Sequence, residues 1–183
     1  MKTERAAGID ELLPEYFKAL AVEERGMKLI KQLLDLCWRE KALPAAWKIS
    51  RVKLIFKKGD PSHCENYRPI SLLCIGYKLL AMLLLECLKK AGAEDRLWQS
   101  QCGFKSISGT ADALFIARRL LDLAWTTREN KLTFLALDWA KAFDSICPEK
   151  LEEALYRFGI PPAFIDMISS IYCNREFSCE SLR

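Results

Sequence analysis

An apolar run of five residues, Thr133–Leu137, ends directly on the carboxylate of Asp138. The run is too short for a helix and shows no polar alternation, so it predicts a β-strand that is buried on both faces. An isolated buried charge is costly, which means that Asp138 must cap a helix, pair with a cation or bind a metal. A cap on a helix that starts at Trp139 and a metal ligand both agree with this local pattern.

The composition excludes several classes of protein. Of the 183 residues, 51% are hydrophobic and 28% are charged, which is typical of a globular domain and not of a disordered chain. No uncharged apolar stretch approaches the roughly 20 residues of a membrane-spanning helix, and the N-terminus lacks the apolar core of a signal peptide. We therefore expect an intracellular protein, nuclear or cytoplasmic, that is neither secreted nor held in a membrane.

The eight cysteines do not have the spacing of a zinc site or of a disulfide framework. The sequence contains no Cys-x-x-Cys pair and one histidine, His63. Most of the cysteines lie in apolar runs, as Cys74 and Cys87 do, where a free thiol behaves as a small core residue. We expect core packing and not metal binding from these side chains.

Hydrophobic spacing predicts many helices and a few strands that lie far apart in the sequence, which is an α+β pattern. Alternation over residues 51–58 predicts a strand, and Lys57–Pro61 predicts the turn after it. A polar turn is predicted at Thr126–Lys131. The predicted helices are Pro14 to about Lys41 (with Gly26 as a point of division), Ser71–Ala91, Thr110–Trp125, Pro148 to about Phe158, and Pro161-Pro162 to about Tyr172.

The sharpest charge cluster lies between Lys48 and Lys58, where five basic residues occur without an acidic one. Nucleic acid or polyphosphate is a natural partner for such a patch. A solvated strand face explains the same charges equally well on charge alone.

Several short segments of the sequence are informative when they are considered together and in their order along the chain. They are GID at 8–10, PEYFK at 14–18, LPAAWK at 43–48, VKLIFKKGD at 52–60, NYRPISLL at 66–73, QCGFK at 101–105, TADAL at 110–114 and FLALDWAKAFDS at 134–145. In this order they resemble the reverse transcriptases of non-LTR (LINE-like) retrotransposons, from the lead-in through the fingers to motif A of the palm. The resemblance implies mostly helical fingers and an incomplete palm of a right-hand polymerase fold. It divides residues 1–183 into a helical lead-in (1–42), a fingers-like part (43–131) and the start of the palm (132–183).

The same resemblance implies a role for each matching residue around motif A. Asp138 matches the catalytic carboxylate that binds Mg²⁺, with Mn²⁺ as the alternative ion, and the backbone carbonyl of Trp139 is expected beside the metal. Phe143 matches the steric gate that excludes the ribose 2′-hydroxyl of the incoming nucleotide, although an ordinary core phenylalanine explains it as well. Asp144 is expected to form a local hydrogen bond and not to bind metal.

Further matches lie in the fingers-like part. Arg68 matches the arginine that grips the triphosphate, and Lys57 or Lys58 matches the lysine near it. A guanidinium holds two phosphate oxygens and an ammonium supplies a point charge, so these residue types suit the task. A structural arginine before Pro69 and a solvated turn explain the same residues without a ligand. A template-side block, in which a base stacks on a ring and a cation meets the backbone phosphate, is matched by Gly103, Phe104 and Lys105.

The family supplies its other carboxylates from an aromatic-x-Asp-Asp hairpin downstream of motif A, and this sequence contains no Asp-Asp pair. We therefore expect an N-terminal part of a reverse transcriptase domain that meets RNA template, DNA primer and dNTP but does not polymerise alone. The unpaired palm strand should make the protein marginally stable or self-associating. Two alternatives stay open: a basic helical RNA-binding module, and a structural or interaction protein without catalysis.

Overall fold

The computed structural model describes residues 6–126, 131–139 and 141–179. These residues form seven α-helices and a mixed three-stranded sheet, so the predicted α+β class is confirmed. In chain order the elements are α1 (Pro14–Val22), α2 (Glu24–Glu40), α3 (Ala45–Lys48), β1 (Ile49–Phe56), β2 (Tyr67–Leu72), α4 (Ile75–Lys90), α5 (Thr110–Thr126), α6 (Pro148–Arg157), α7 (Pro162–Tyr172) and β3 (Glu176–Cys179). Within this described part, no helix is both long and apolar enough to cross a bilayer.

The predicted N-terminal helix consists of two helices, and the division falls at Glu23 and not at Gly26. Glu23 has extended backbone angles, φ −98° and ψ 139°, which end α1 and let α2 begin in a new direction. Gly26 is buried, and a Cβ there would lie 1.9 Å from the Leu20 carbonyl oxygen. The glycine therefore serves the close approach of the two helices and does not break the second one.

The sheet has the order β2-β1-β3, with β2 antiparallel and β3 parallel to the central strand. The predicted strand at 51–58 is confirmed as β1, although it begins and ends earlier. The prediction of a helix from Ser71 is wrong in its first turn, because Ser71 and Leu72 still pair with β1 and α4 starts at Ile75. Pro69 is tolerated in β2 because an edge strand leaves one side of its backbone without a partner strand.

The described residues form two compact units, and the boundary falls inside α4. One unit takes in the described residues of Met1–Leu83 and Ser145–Arg183, and the other those of Leu84–Asp144. The first unit contains the main core, and its buried apolar side chains are Cys37, Leu43, Trp47, Val52, Cys74, Ile75, Leu80, Ile160, Met167 and Ile171. Burial raises the pKa of the Cys37 and Cys74 thiols, which keeps them neutral in that core. The core role predicted for most of the cysteines is wrong, because Cys64, Cys87, Cys147, Cys173 and Cys179 are exposed.

The predicted strand at Thr133–Leu137 is also wrong. Residues 131–139 have no regular secondary structure and are exposed, with Phe134 at 67% and Leu137 at 73%. A strand buried on both faces requires neighbouring strands that satisfy its backbone groups, and no described strand pairs with this segment. Most of the predicted polar turn at Thr126–Lys131 lies outside the described residues.

Candidate functional site

The β1–β2 hairpin places two of the predicted nucleotide-binding residues on one face of the sheet. Ile55 pairs directly with Arg68, and the ladder continues one step beyond β1, where the Lys57 amide donates to the Asn66 carbonyl at 2.8 Å. Directly paired residues share a face and successive residues alternate, so Lys57 and Arg68 lie on the same face as Ile55. Both side chains are exposed and accessible to a ligand.

The same face continues toward the other end of β1. Arg51 and Lys53 precede Ile55 by four and two residues in β1, so they lie on the same face of the sheet, and three of the five residues of the basic cluster share that face. Arg51 lies 3.9 Å from the carboxylate of Glu11, which offsets part of the charge at that end. The basic face, defined by Arg51, Lys53, Lys57 and Arg68, therefore has its strongest positive charge toward the hairpin loop.

Hydrogen bonds within the hairpin loop fix its shape. Asp60 Oδ1 accepts from the amide and the hydroxyl of Ser62 at 2.9 and 2.8 Å, and these bonds lower the pKa of the Asp60 carboxyl. Asn66 Nδ2 donates to the Asp60 carbonyl at 2.8 Å. Gly59 has φ +95°, and a Cβ there would lie 2.8 Å from Asn66 Nδ2. The exposed Lys58 thus stands at the start of an ordered loop, as the predicted turn implies.

The opposite face of the hairpin end carries an aromatic pair. Phe56 and Tyr67 are direct cross-strand partners, and their rings meet edge to face with centroids 5.5 Å apart. The Tyr67 hydroxyl donates to the Pro61 carbonyl at 3.0 Å. These contacts hold the two strands in register where Lys57 leaves the sheet.

The second unit contains the described residues of motif A as far as Asp144. Asp138 and Trp139 are exposed in a segment without regular structure, and no described helix starts there that Asp138 could cap. Asp144 lies in the turn formed by residues 141–145. Within the described ranges, no group of three or more His, Cys, Asp or Glu side chains is arranged to hold a metal ion. Since Mg²⁺ requires near-octahedral oxygen coordination, the Asp138 carboxylate and the Trp139 carbonyl do not form a complete magnesium site by themselves.

Phe143 is not a core residue, because its side chain is 74% exposed. Its ring meets the ring of Phe104 edge to face, with centroids 6.1 Å apart and planes at 88°. The structure therefore brings the predicted gate residue into contact with a predicted template-side residue. No sequence pattern indicates this pair, because it depends on two separate turns.

The loop before α5 is tied to the end of α4 by a small polar network that the sequence analysis did not find. The Ser106 hydroxyl donates to Glu94 at 2.8 Å, and Lys89 Nζ lies 2.9 Å from that hydroxyl and 3.2 Å from Glu94. The bond from Ser106 is the main cause that lowers the pKa of the Glu94 carboxyl, and Lys89 adds to it. Lys105 lies beside this network and lines the same shallow groove as Glu94. Gly103 has room for a side chain, since the nearest atom to a Cβ there is 3.7 Å away.

Comparisons with known proteins identify the family of the chain. Residues 55–183 match the family described as reverse transcriptase (RNA-dependent DNA polymerase). The chain is 29% identical over 96% of its length to an uncharacterised 149 kDa protein of transposon TX1 from Xenopus laevis. It is 33% identical over 64% of its length to a retrovirus-related Pol polyprotein from a type-1 retrotransposable element R2 of Popillia japonica. It is 26% identical over 94% of its length to a probable RNA-directed DNA polymerase from transposon BS of Drosophila melanogaster.

The extent of these matches differs between the chain and its relatives. The chain spans 13%, 16% and 19% of the lengths of these three relatives. The family match covers more than half of the chain and includes both the end of the β1–β2 hairpin and motif A. The chain therefore belongs to the reverse transcriptase (RNA-dependent DNA polymerase) family, in the group found in non-LTR retrotransposons.

Proposed function

We propose that this chain contributes the fingers and the first palm segment of an RNA-directed DNA polymerase, and that its basic face binds the triphosphate of the incoming dNTP. The observation that supports this most is the position of Lys57 and Arg68 on one exposed face, beside an ordered loop. A triphosphate is a dense anion, and a guanidinium with a neighbouring ammonium matches its oxygens in geometry and charge. Lys58, at the start of the loop, adds to the local positive charge.

Asp138 is proposed as one metal-binding carboxylate, with the backbone oxygen of Trp139 beside it. In nucleotidyl transfer, two divalent ions stabilise the attacking and leaving oxygens, and several carboxylates hold those ions. Asp138 alone does not supply such a set, so we expect the 183-residue chain to hold substrates without joining them. Mg²⁺ is the proposed ion and Mn²⁺ its substitute, because both prefer oxygen ligands.

Phe143 is proposed to face the sugar of the nucleotide and to exclude the 2′-hydroxyl by steric contact. On the template side, Phe104 offers an exposed ring on which a base can stack, and Lys105 offers a cation for the backbone phosphate. Gly103 precedes them in the same turn. The proposed partners are accordingly an RNA template, a DNA primer and a dNTP.

Equilibrium titration with dATP, dAMP and deoxyadenosine in the presence of Mg²⁺ tests the triphosphate site. We expect affinity to rise with the number of phosphates and to fall as salt is added, because the contacts are ionic. Lys57→Gln should weaken dATP binding about fivefold, roughly the value of one partly exposed charged contact. Lys31→Gln, an exposed lysine of α2, is the matched control and should change affinity less than about twofold. Equal affinity for dATP and deoxyadenosine would contradict the proposal.

Primer extension on a homopolymer RNA template tests the expected lack of catalysis. We expect no extension by the 183-residue chain with either Mg²⁺ or Mn²⁺, because one carboxylate cannot hold both ions. Extension that is lost in Asp138→Asn would show that the chain completes its site in another way, for example by self-association. The same measurement at several protein concentrations tests self-association, because extension by an associated form should rise more steeply than the protein concentration.

A further inference from the structure

The contact between Phe104 and Phe143 is unusual because both rings are largely exposed, at 87% and 74%. Their centroids are 6.1 Å apart and their planes meet at 88°, which is the favourable edge-to-face geometry of an aromatic pair. The two residues come from different turns of the second unit, Phe104 before α5 and Phe143 within motif A. Packing in a hydrophobic core therefore does not explain why a phenylalanine occupies either position.

The backbone at Phe104 also needs an explanation. Its φ is +62°, in the left-handed region that a bulky L-residue adopts only at an energetic cost. Lys141, in the turn that carries Phe143, has φ +50° and is left-handed as well. Each turn therefore contains one residue in an uncommon backbone conformation, and the rings of Phe104 and Phe143 meet between these two turns.

We propose that Phe104 is a positioning residue for Phe143, and that it sets the discrimination between dNTP and rNTP by holding the ring of the gate in place. This inference rests on the proposed function, since it takes Phe143 as the residue that faces the sugar. It assigns Phe104 a second role beside base stacking, one that acts through its edge contact with Phe143.

A steric gate discriminates only when its ring cannot move away from the 2′-hydroxyl. With 74% of its side chain exposed, Phe143 has little packing of its own to hold it. A rotation about χ1 would carry the ring into solvent and leave space for the extra hydroxyl. The edge-to-face contact with Phe104 is lost when the ring rotates away, so this contact favours the observed position, and its removal should favour rNTP relative to dNTP.

The ratio of the dissociation constants of ATP and dATP, measured with Mg²⁺ on the full 183-residue chain, is the test. Phe104→Ala should lower this ratio about threefold to tenfold, the range that corresponds to the coupling of one aromatic pair. Phe104→Tyr keeps the ring and should retain the wild-type ratio. Phe115→Ala removes a similarly exposed ring from α5 of the same unit and should also leave the ratio unchanged. A general loss of structure would weaken the binding of ATP and dATP equally and would not change the ratio of their dissociation constants.

The aromatic NMR resonances of Phe143 provide a second readout that requires no nucleotide. We expect them to shift in Phe104→Ala and not in Phe115→Ala, because the ring current of Phe104 acts at close range. A wild-type ratio in Phe104→Ala, while Phe143→Ala brings the ratio to about one, would overturn this inference and leave the proposed function intact. If Phe143→Ala keeps the ratio, the gate assignment and this inference both fail, but triphosphate binding does not. If the wild-type chain binds neither nucleotide, both proposals are rejected.

Discussion

Gly76→Ala should destabilise the protein by about 2 kcal/mol and Gly76→Val by about 3 kcal/mol or more, as overpacking of a filled core does. Gly76 lies in the first turn of α4, and a Cβ there would come within 2.1 Å of Trp47 Cζ2 and 2.6 Å of its Cε2. The Trp47 side chain is itself 6% exposed, so it has no free direction in which to retreat. The better helix propensity of alanine offsets about 1 kcal/mol of this cost and no more.

Denaturant unfolding measures the effect, and the transition midpoint should fall without a change in slope. Gly109→Ala is the matched control, because a Cβ at Gly109 meets no atom within 4 Å. Its expected cost is about 0.5 kcal/mol, since it lies just before α5 where glycine is slightly preferred to alanine. A midpoint for Gly76→Ala equal to that of Gly109→Ala would show that the ring of Trp47 can move aside.

A double-mutant cycle identifies the clash as the cause. Trp47→Phe removes the outer indole ring, to which the clashing atoms belong, and by itself should destabilise by about 2 kcal/mol because it leaves a cavity. Combined with Gly76→Ala, the added methyl group fills part of that space. We expect the double mutant to be more stable than the sum of the two single changes predicts, with a coupling energy of about 1 kcal/mol or more.

Several elements could be predicted from the sequence because their signals are local. The starts of three helices, α1, α6 and α7, agree with the prediction to within a residue, since Pro14, Pro148 and Pro162 suit the first turn of a helix. The end of α1 does not, because no residue between Pro14 and Gly26 signals the break at Glu23. The alternation of β1 is equally local. Strands β2 and β3 were not predicted, because their status depends on pairing with β1. In β2, Pro69 argues against a strand in the sequence. Strand β3 has only four residues, and it pairs in parallel with a strand that lies far away in the chain.

At Thr133–Leu137 the error is the opposite one, since a strand is predicted where the structure has none. It has the same physical origin. An apolar run predicts a buried strand only when other strands are available to cover it, and a local pattern carries no information about them. For the candidate site, the motif resemblance predicted Arg68 and Phe143 as nucleotide-binding residues. It did not predict that Phe143 touches Phe104, because the two residues lie far apart in the sequence, in separate turns, and no local pattern relates them.

Arg68→Gln should weaken dATP binding by about 10-fold to 100-fold, the loss expected for a charge-assisted hydrogen-bonded contact. Arg68→Lys should lose less, about fivefold to 10-fold, because it retains the charge but not the planar fork. Both changes should leave the free energy of unfolding nearly unaltered, since Arg68 is exposed on the edge strand β2. The loss should be smaller for dAMP than for dATP, because the proposed contact is to the triphosphate.

Arg25→Gln is the control for a general effect of charge. Arg25 is an exposed residue in the first turn of α2, in the same unit as Arg68, and its loss changes the net charge equally. Competition by inorganic tripolyphosphate, measured against bound dATP, separates phosphate recognition from recognition of the base and sugar. If Arg68→Gln and Arg25→Gln weaken dATP binding by the same factor, the basic face acts only through its total charge. Lys57 and Arg68 would then not recognise the triphosphate specifically.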